Sequence, residues 1–269
     1  MQVGVVGTGA MGRPLVDRLR AAGFEVTAFA RRTDTRAELT AAGVPTVDTV
    51  ADLARGNEVV VVYVYDDDQV REVVFDHGLA DAMAPGSVIV VHTTGSPRTV
   101  QAIDARVRAR QVGVVDAPGS GGPAQVAKGT LTLFVGGDNE PVARCRPLFA
   151  AYAARVVHFG ALGTGQQVKL LNNLLFGAHL ELAVEAAGLA ERFGIDPVAF
   201  ASTLRACSGA SYAVDLVATM GSAAALVTAA GRFVHKDVLV AQAVAEEIGV
   251  PLGSLGIVLP ALLTRTQPR

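Results

Sequence analysis

The chain has 269 residues, 51% of them hydrophobic and 18% charged, with a formal net charge of −2. That size holds one large domain or two modest ones, and so apolar a composition builds a core and excludes disorder. The balanced charge, the absence of tryptophan and an aromatic share of 5% exclude a basic field or a base-stacking surface for nucleic acid.

The first element is an apolar strand over Gln2–Gly7. Gly7, Gly9 and Gly12 follow at GxGxxG spacing, and a helical pattern runs over Met11–Ala22. In such a turn the first glycine permits the bend, the second lets a pyrophosphate approach the backbone and the third packs helix on strand. The expected dinucleotide contacts are Gly7, Gly9, Ala10, Met11 and Gly12, with amides at the helix N-terminus facing phosphate. A glycine-rich structural turn is the alternative.

A second strand, Glu25–Ala30, ends in Ala30-Arg31-Arg32-Thr33. Ala30 stands where an acid would bind the ribose 2′-hydroxyl of NAD. Arg31 and Arg32, with Thr33 as an extra donor, suit the 2′-phosphate of NADP instead. NADP(H) is therefore expected in preference to NAD(H), a solvated basic turn being the alternative.

Strands then read at Glu58–Tyr65, Ser87–His92, Gly113–Ala117, Leu131–Gly136 and Val156–Phe159. Helices alternate with them at Arg36–Ala42, Val50–Arg55, Asp68–Phe75, Pro97–Ala109 and Glu140–Tyr152. Alternation of this kind implies an α/β fold with a doubly wound parallel sheet. The acids Asp66–Asp68 read as a solvated turn and helix cap. His77, His92, His158 and His179 show no ligand spacing and read as structural, so no metal is expected.

Near Gly160 the pattern changes to long apolar helices: Gln166–Phe193, Pro197–Ala206, Tyr212–Thr219 and Lys236–Ile248. The expected organisation is a dinucleotide-binding Rossmann domain over 1–161 and an all-α domain for substrate and dimerisation over 162–269. A helix as long and apolar as Gln166–Phe193 needs burial on more than one face, between domains or in a homodimer or homotetramer. Cys145 and Cys207 lack metal or redox spacing and read as free buried thiols in a reducing compartment. No apolar run reaches membrane-spanning length and no leader is read ahead of the first strand, so a cytoplasmic protein without a membrane partner is expected.

Three further segments carry chemistry. In Asp116-Ala-Pro-Gly-Ser120-Gly121-Gly122 a hydroxyl and unshielded amides sit on a loop after a strand, a cradle for a carboxylate. Lys169 and Asn173 stand at i and i+4 on one otherwise apolar helix face, where desolvation lowers a lysine pKa toward acid–base work near neutrality. Lys236 opens the helix pattern His235-Lys-Asp-Val-Leu-Val-Ala-Gln-Ala243, where a cation opposes the helix dipole, so a role beyond helix stability is expected. Asp237 reads as an N-terminal helix acid and His235 as structural.

Together with Val3-Gly-Val-Val-Gly-Thr-Gly-Ala-Met-Gly-Arg-Pro-Leu15, these segments resemble the β-hydroxyacid dehydrogenase family. That group holds the 3-hydroxyisobutyrate dehydrogenases and the tartronate, glyoxylate and succinic semialdehyde reductases, and is related to 6-phosphogluconate dehydrogenase. The resemblance runs from residue 2 to about residue 256. It implies hydride transfer between NADP(H) and a small β-hydroxy acid or semialdehyde acid. Lys169 would be the general acid/base and Asn173 the substrate-positioning residue. Ser120, Gly121 and Gly122 would hold the carboxylate of a small substrate, and Lys236 would lie at the cofactor.

The family's Asp-x-Ser-Thr-x-Ser-Pro loop is matched by Val91–Pro97, which implies Thr94 at the nicotinamide ribose and Ser96 as a helix cap. Val64 and Tyr65 stand at a strand end that contacts cofactor in the family. The chain departs from the family at Gly119, Gln125, Val91 and Gly95, and Pro251–Arg269 replaces the customary closing segment. An imine reductase sharing this architecture, or a non-catalytic NADP-binding homologue, are the rival expectations. Imine reductases typically carry Asp or Tyr where Lys169 sits.

Overall fold

The computed structural model describes residues 1–267. The chain divides into two compact units, Met1–Lys169 and Leu170–Arg269. The division falls eight residues beyond position 161 because the start of the long helix is tied to the first unit by its own hydrogen bonds, given below.

The first unit is built on nine strands: β1 (Gln2–Val6), β2 (Glu25–Phe29), β3 (Thr46–Val47), β4 (Val59–Val62), β5 (Val88–Val91), β6 (Gly113–Asp116), β7 (Gly119–Ser120), β8 (Leu131–Gly137) and β9 (Ala153–His158). Their order is β3-β2-β1-β4-β5-β6-β8-β7, with β9 beside β8. The six strands β1 to β6 are parallel, as expected of a doubly wound sheet. The expectation fails at β8, which runs antiparallel to both β6 and β7. No full-length crossover helix separates β6 from β8, so the chain turns back rather than crossing over. A twelve-residue helix does separate β8 from β9, and that pair is parallel.

Valine runs explain why these strands form. All four residues of β4 and of β5 are buried, the signature of a strand covered on both faces. Alternate residues feed two cores. Val3, Val5, Val59, Val61, Val88 and Val90 face one side, while Val60, Val62, Ile89 and Val91 face the other. The first side is covered by α1 (Gly12–Ala21) through Leu15, Val16 and Leu19, and by α2 (Thr33–Ala41) through Leu39. The second is covered by α3 (Val50–Arg55), α4 (Asp67–Arg71, continued by a π turn over Glu72–Asp76), α5 (Leu79–Ala82) and α6 (Pro97–Val107). A six-residue α7 (Pro123–Lys128) and α8 (Asn139–Ala150) return to the first side. Within that core His92 donates from Nδ1 to the Ala117 carbonyl, and its Nε2 accepts from the Tyr152 hydroxyl at 2.8 Å. Full burial pushes the imidazole down to about 4, so it is neutral at physiological pH and structural, as its lack of ligand spacing implied.

The long helix α9 (Thr164–Arg192) begins in the first unit. The second unit is helical: α10 (Pro197–Leu204), α11 (Tyr212–Met220), α12 (Ala223–Glu247) and α13 (Leu255–Arg265) pack with the rest of α9 around Leu174, Leu180, Val217, Leu226, Val238 and Leu259. Asp196, Ser211 and Ser222 cap three of these helices through side-chain oxygens. Arg265 grips the buried Glu181 with two hydrogen bonds of 3.0 and 2.9 Å and reaches Glu185 at 2.7 Å.

Two expectations are corrected here. The last long helix starts at Ala223, not at Lys236, because Ser222 caps it and Leu226 and Val234 anchor its first half. Lys236 is therefore mid-helix, and the argument from an unfavourable first-turn cation does not apply. Cys207 is exposed, while Cys145 is buried as expected. No helix among the described residues is long and apolar enough to cross a membrane, and no metal-holding cluster occurs among them.

Candidate active site

The glycine turn stands at the carboxyl end of β1. A Cβ on Gly7, where φ is +94°, would lie 2.2 Å from the Tyr63 carbonyl oxygen, and one on Gly12 would lie 1.8 Å from that of Gly7. The fold itself demands those two glycines. Gly9 is different, since a Cβ there meets nothing within 4 Å. Protein packing does not explain that glycine, but backbone access for a pyrophosphate does, so the turn fits a dinucleotide. Ala10 and Met11 complete the turn, Ala10 exposed and Met11 half-buried.

The other expected cofactor residues of the first unit follow the carboxyl ends of neighbouring parallel strands. Arg31, Arg32 and Thr33 follow β2, all three exposed, with Thr33 opening α2. Val64 and Tyr65 follow β4 and Thr94 follows β5. Thr93 laces the last two ends together, accepting from the Val64 amide at 2.9 Å and donating to its carbonyl at 3.1 Å. Open α/β sheets bind ligands at this edge, where the order 3-2-1-4 reverses direction. The acids beside it cap a helix, as expected, and one reaches further. Asp66 caps α4 through the Gln69 amide, and Asp67 accepts the Ser96 amide at 2.8 Å and fills the space beside Gly95. Gly95 carries no side chain because the Asp67 carboxylate occupies the volume one would need. Ser96 caps α6 as expected.

Ser120, Gly121 and Gly122 join β7 to α7. Gly121 adopts φ +128°, and a Cβ there would press on Leu131 and Gln125. The Gly122 amide is not open, because it donates to Gln125 Oε1 at 2.9 Å.

Asp116 and Gln166 form a buried polar connection that no local sequence pattern announces. Asp116 is fully buried and accepts the amides of Gly163 and Gln166, each at 2.7 Å, at the start of α9. Burial raises its carboxyl above the ordinary value, and the backbone donors oppose that shift. Gln166 bridges to the loop holding Thr94, accepting from the Gly95 amide at 3.0 Å and donating to the Thr93 carbonyl at 2.8 Å. Lys169, half-buried, follows three residues later on the helix so fixed. An aspartate ending a buried strand was the available signal, but its partners lie 47 and 50 residues away.

In the second unit Asn173 is buried, donates to Asp237 Oδ2 and accepts from Asn172 at 2.9 Å. Lys236 pairs with Asp237 Oδ1 at 2.7 Å. Asp237 is therefore a buried hub between Asn173 and Lys236, not the N-terminal helix acid expected of it.

Comparison with known proteins shows the family of the chain. Residues 2–160 match the NAD-binding domain of 6-phosphogluconate dehydrogenase, and residues 163–265 match the NAD-binding domain of NADP-dependent 3-hydroxyisobutyrate dehydrogenase. The chain is 32% identical to an NAD-dependent L-serine dehydrogenase of Pseudomonas aeruginosa, over 98% of this chain and 92% of that protein. It is 34% identical to an L-threonate dehydrogenase of Cupriavidus necator over 78% of this chain and 71% of that one. A solved 3-hydroxyisobutyrate dehydrogenase from Salmonella typhimurium superposes with a TM-score of 0.85 at 28% identity, over 98% and 93% of the two chains. A Streptomyces aurantiacus imine reductase shares the fold, with a TM-score of 0.72 at 20% identity over 97% and 93% of the chains. The fold and these relatives define a nicotinamide-dependent dehydrogenase of the oxidoreductase class. The chain belongs to the β-hydroxyacid dehydrogenase family.

Proposed function

We propose that the protein is an NADP(H)-dependent oxidoreductase acting between a small β-hydroxy acid and its aldehyde or ketone. Bound NADP(H) supplies or accepts the hydride. The Gly7–Gly12 turn seats the pyrophosphate, Arg31 and Arg32 with Thr33 take the 2′-phosphate, and Val64, Tyr65, Thr94 and Lys236 complete the cofactor contacts. The loop of Ser120, Gly121 and Gly122 receives the substrate carboxylate. Asn173 orients the reacting oxygen with the amide hydrogen that Asp237 leaves over. In reduction the Lys169 ammonium protonates the developing alkoxide, and in oxidation neutral Lys169 takes the hydroxyl proton.

The observation that carries this reading is Gly9: the fold needs no glycine there, and a phosphate-bearing ligand does. The test is a steady-state assay with NADPH and NADH against short semialdehyde acids and β-hydroxy acids, L-serine included. Higher kcat/KM with NADPH on an acid is expected, and the pair Arg31→Ala, Arg32→Ala should cut the NADPH preference by roughly 10–100-fold, the worth of lost charged hydrogen bonds. Preference for NADH overturns the cofactor assignment. Turnover of cyclic imines without turnover of acids favours the imine reductase reading, against which Lys169 stands. Tight NADPH binding with no turnover favours a non-catalytic homologue.

We further infer that the protein is a homodimer or a higher homo-oligomer. Leu171, Leu175, Leu182, Leu189 and Phe193 recur along α9 and its end at spacings of 4, 7, 7 and 4, all of them exposed. Such a stripe on a long helix suits a second copy of the same helix.

A further inference from the structure

Gln125 stands where the family carries glycine, and its side chain lies across the loop assigned to the substrate carboxylate. Its Oε1 accepts the Gly122 amide at 2.9 Å. Its Cβ and Cγ lie 3.0 and 3.3 Å from where a Cβ on Gly121 would be. Its own carbonyl is held by the Thr130 amide at 2.8 Å and the Thr130 hydroxyl at 3.3 Å, so the residue is fixed at both ends. A backbone amide donates one hydrogen, and here that hydrogen is taken.

We propose that Gln125 is a specificity-determining residue, which withholds the Gly122 amide from anionic substrates and leaves the Ser120 hydroxyl and the Gly121 amide to hold them. The inference rests on the functional reading above. A carboxylate entering this loop either forgoes one charge-assisted hydrogen bond or displaces the Gln125 carboxamide. Carboxylate affinity is thereby weakened in this chain, and uncharged carbonyl substrates, which make no use of that amide, are unaffected. The pocket's preference shifts from charged toward neutral substrates.

The experiment compares wild type with Gln125→Gly and Gln125→Ala, the alanine variant preserving the first turn of α7. Succinic semialdehyde is the charged probe and an unsubstituted aliphatic aldehyde of the same length the neutral one, each with NADPH. Removal of the carboxamide should lower KM for the acid by roughly ten-fold or more, the worth of one charge-assisted hydrogen bond. It should leave kcat within about threefold and KM for the neutral aldehyde unchanged. An activity-independent readout is the Gly122 amide resonance, which should shift on titrating succinate into the variants and stay still in wild type. Equal KM changes for both probes, or none, overturn the proposal, as does a Gly122 shift in wild type. If wild type turns over no acid and no loop amide responds in any variant, the functional reading fails and the proposal falls with it.

Discussion

Gly7, Gly9 and Gly12 look equivalent as letters and are not equivalent in space. Alanine at Gly12 puts a Cβ 1.8 Å from a carbonyl oxygen, so Gly12→Ala should cost about 3 kcal/mol or more in denaturant unfolding. Alanine at Gly9 meets nothing within 4 Å, so Gly9→Ala should keep stability within about 1 kcal/mol while weakening NADPH binding about tenfold or more. Equal loss of stability in both variants would sink that division. Lys169→Ala should lower kcat by about 10²–10⁴-fold, the usual size of one acid–base group, with the NADPH Kd nearly kept in fluorescence titration. Near-wild-type turnover removes Lys169 from the mechanism. The proposed roles of the glycines, Arg31 and Arg32, and the Lys169–Asn173 spacing come from the sequence, because each is a local pattern. That of Asp237 was not legible there, because its partner Asn173 lies 64 residues away.

At the scale of elements, the parallel strands were legible from their valine runs and the caps from Ser96 and Pro97, where local chemistry decides. The antiparallel turn to β8 was not, because a glycine-rich loop hid the two-residue β7 and the short α7. The neutral His92–Tyr152 pair inside the sheet gives an element-level prediction. Burial pushes the folded imidazole down to about 4, against an ordinary value of 6.5. Above pH 6.5 both states are neutral and the group adds no pH dependence. Between about 6.5 and 4 the unfolded chain binds a proton that the folded one refuses, so stability falls as pH falls, by about 3 kcal/mol in all. Urea unfolding of wild type minus that of His92→Leu should show this slope over that window. A difference flat with pH means the imidazole is not held neutral.

For the whole molecule, the exposed leucine stripe of α9 makes association a measurable expectation. Light scattering should give a dimer or tetramer mass at micromolar concentration, and Leu182→Arg, placing a charge mid-stripe, should yield monomer with helicity retained. A monomeric wild type under those conditions removes the stripe as an interface.

Sequence by itself determined the class of fold and the glycine turn, because repeating valines and glycine spacing are local signals, and it pointed to the family through the resemblance of four motifs in order. Tertiary structure decided that Gly12 is demanded by the fold and Gly9 is not, that Lys236 lies mid-helix and that Gln125 occupies the Gly122 amide. It also decided that Asp116 and Gln166 fix the start of α9. The Asp116 contacts join residues 47 and 50 apart in the chain and form only once the sheet is assembled and water is excluded, while the others depend on local backbone conformation that the folded chain fixes.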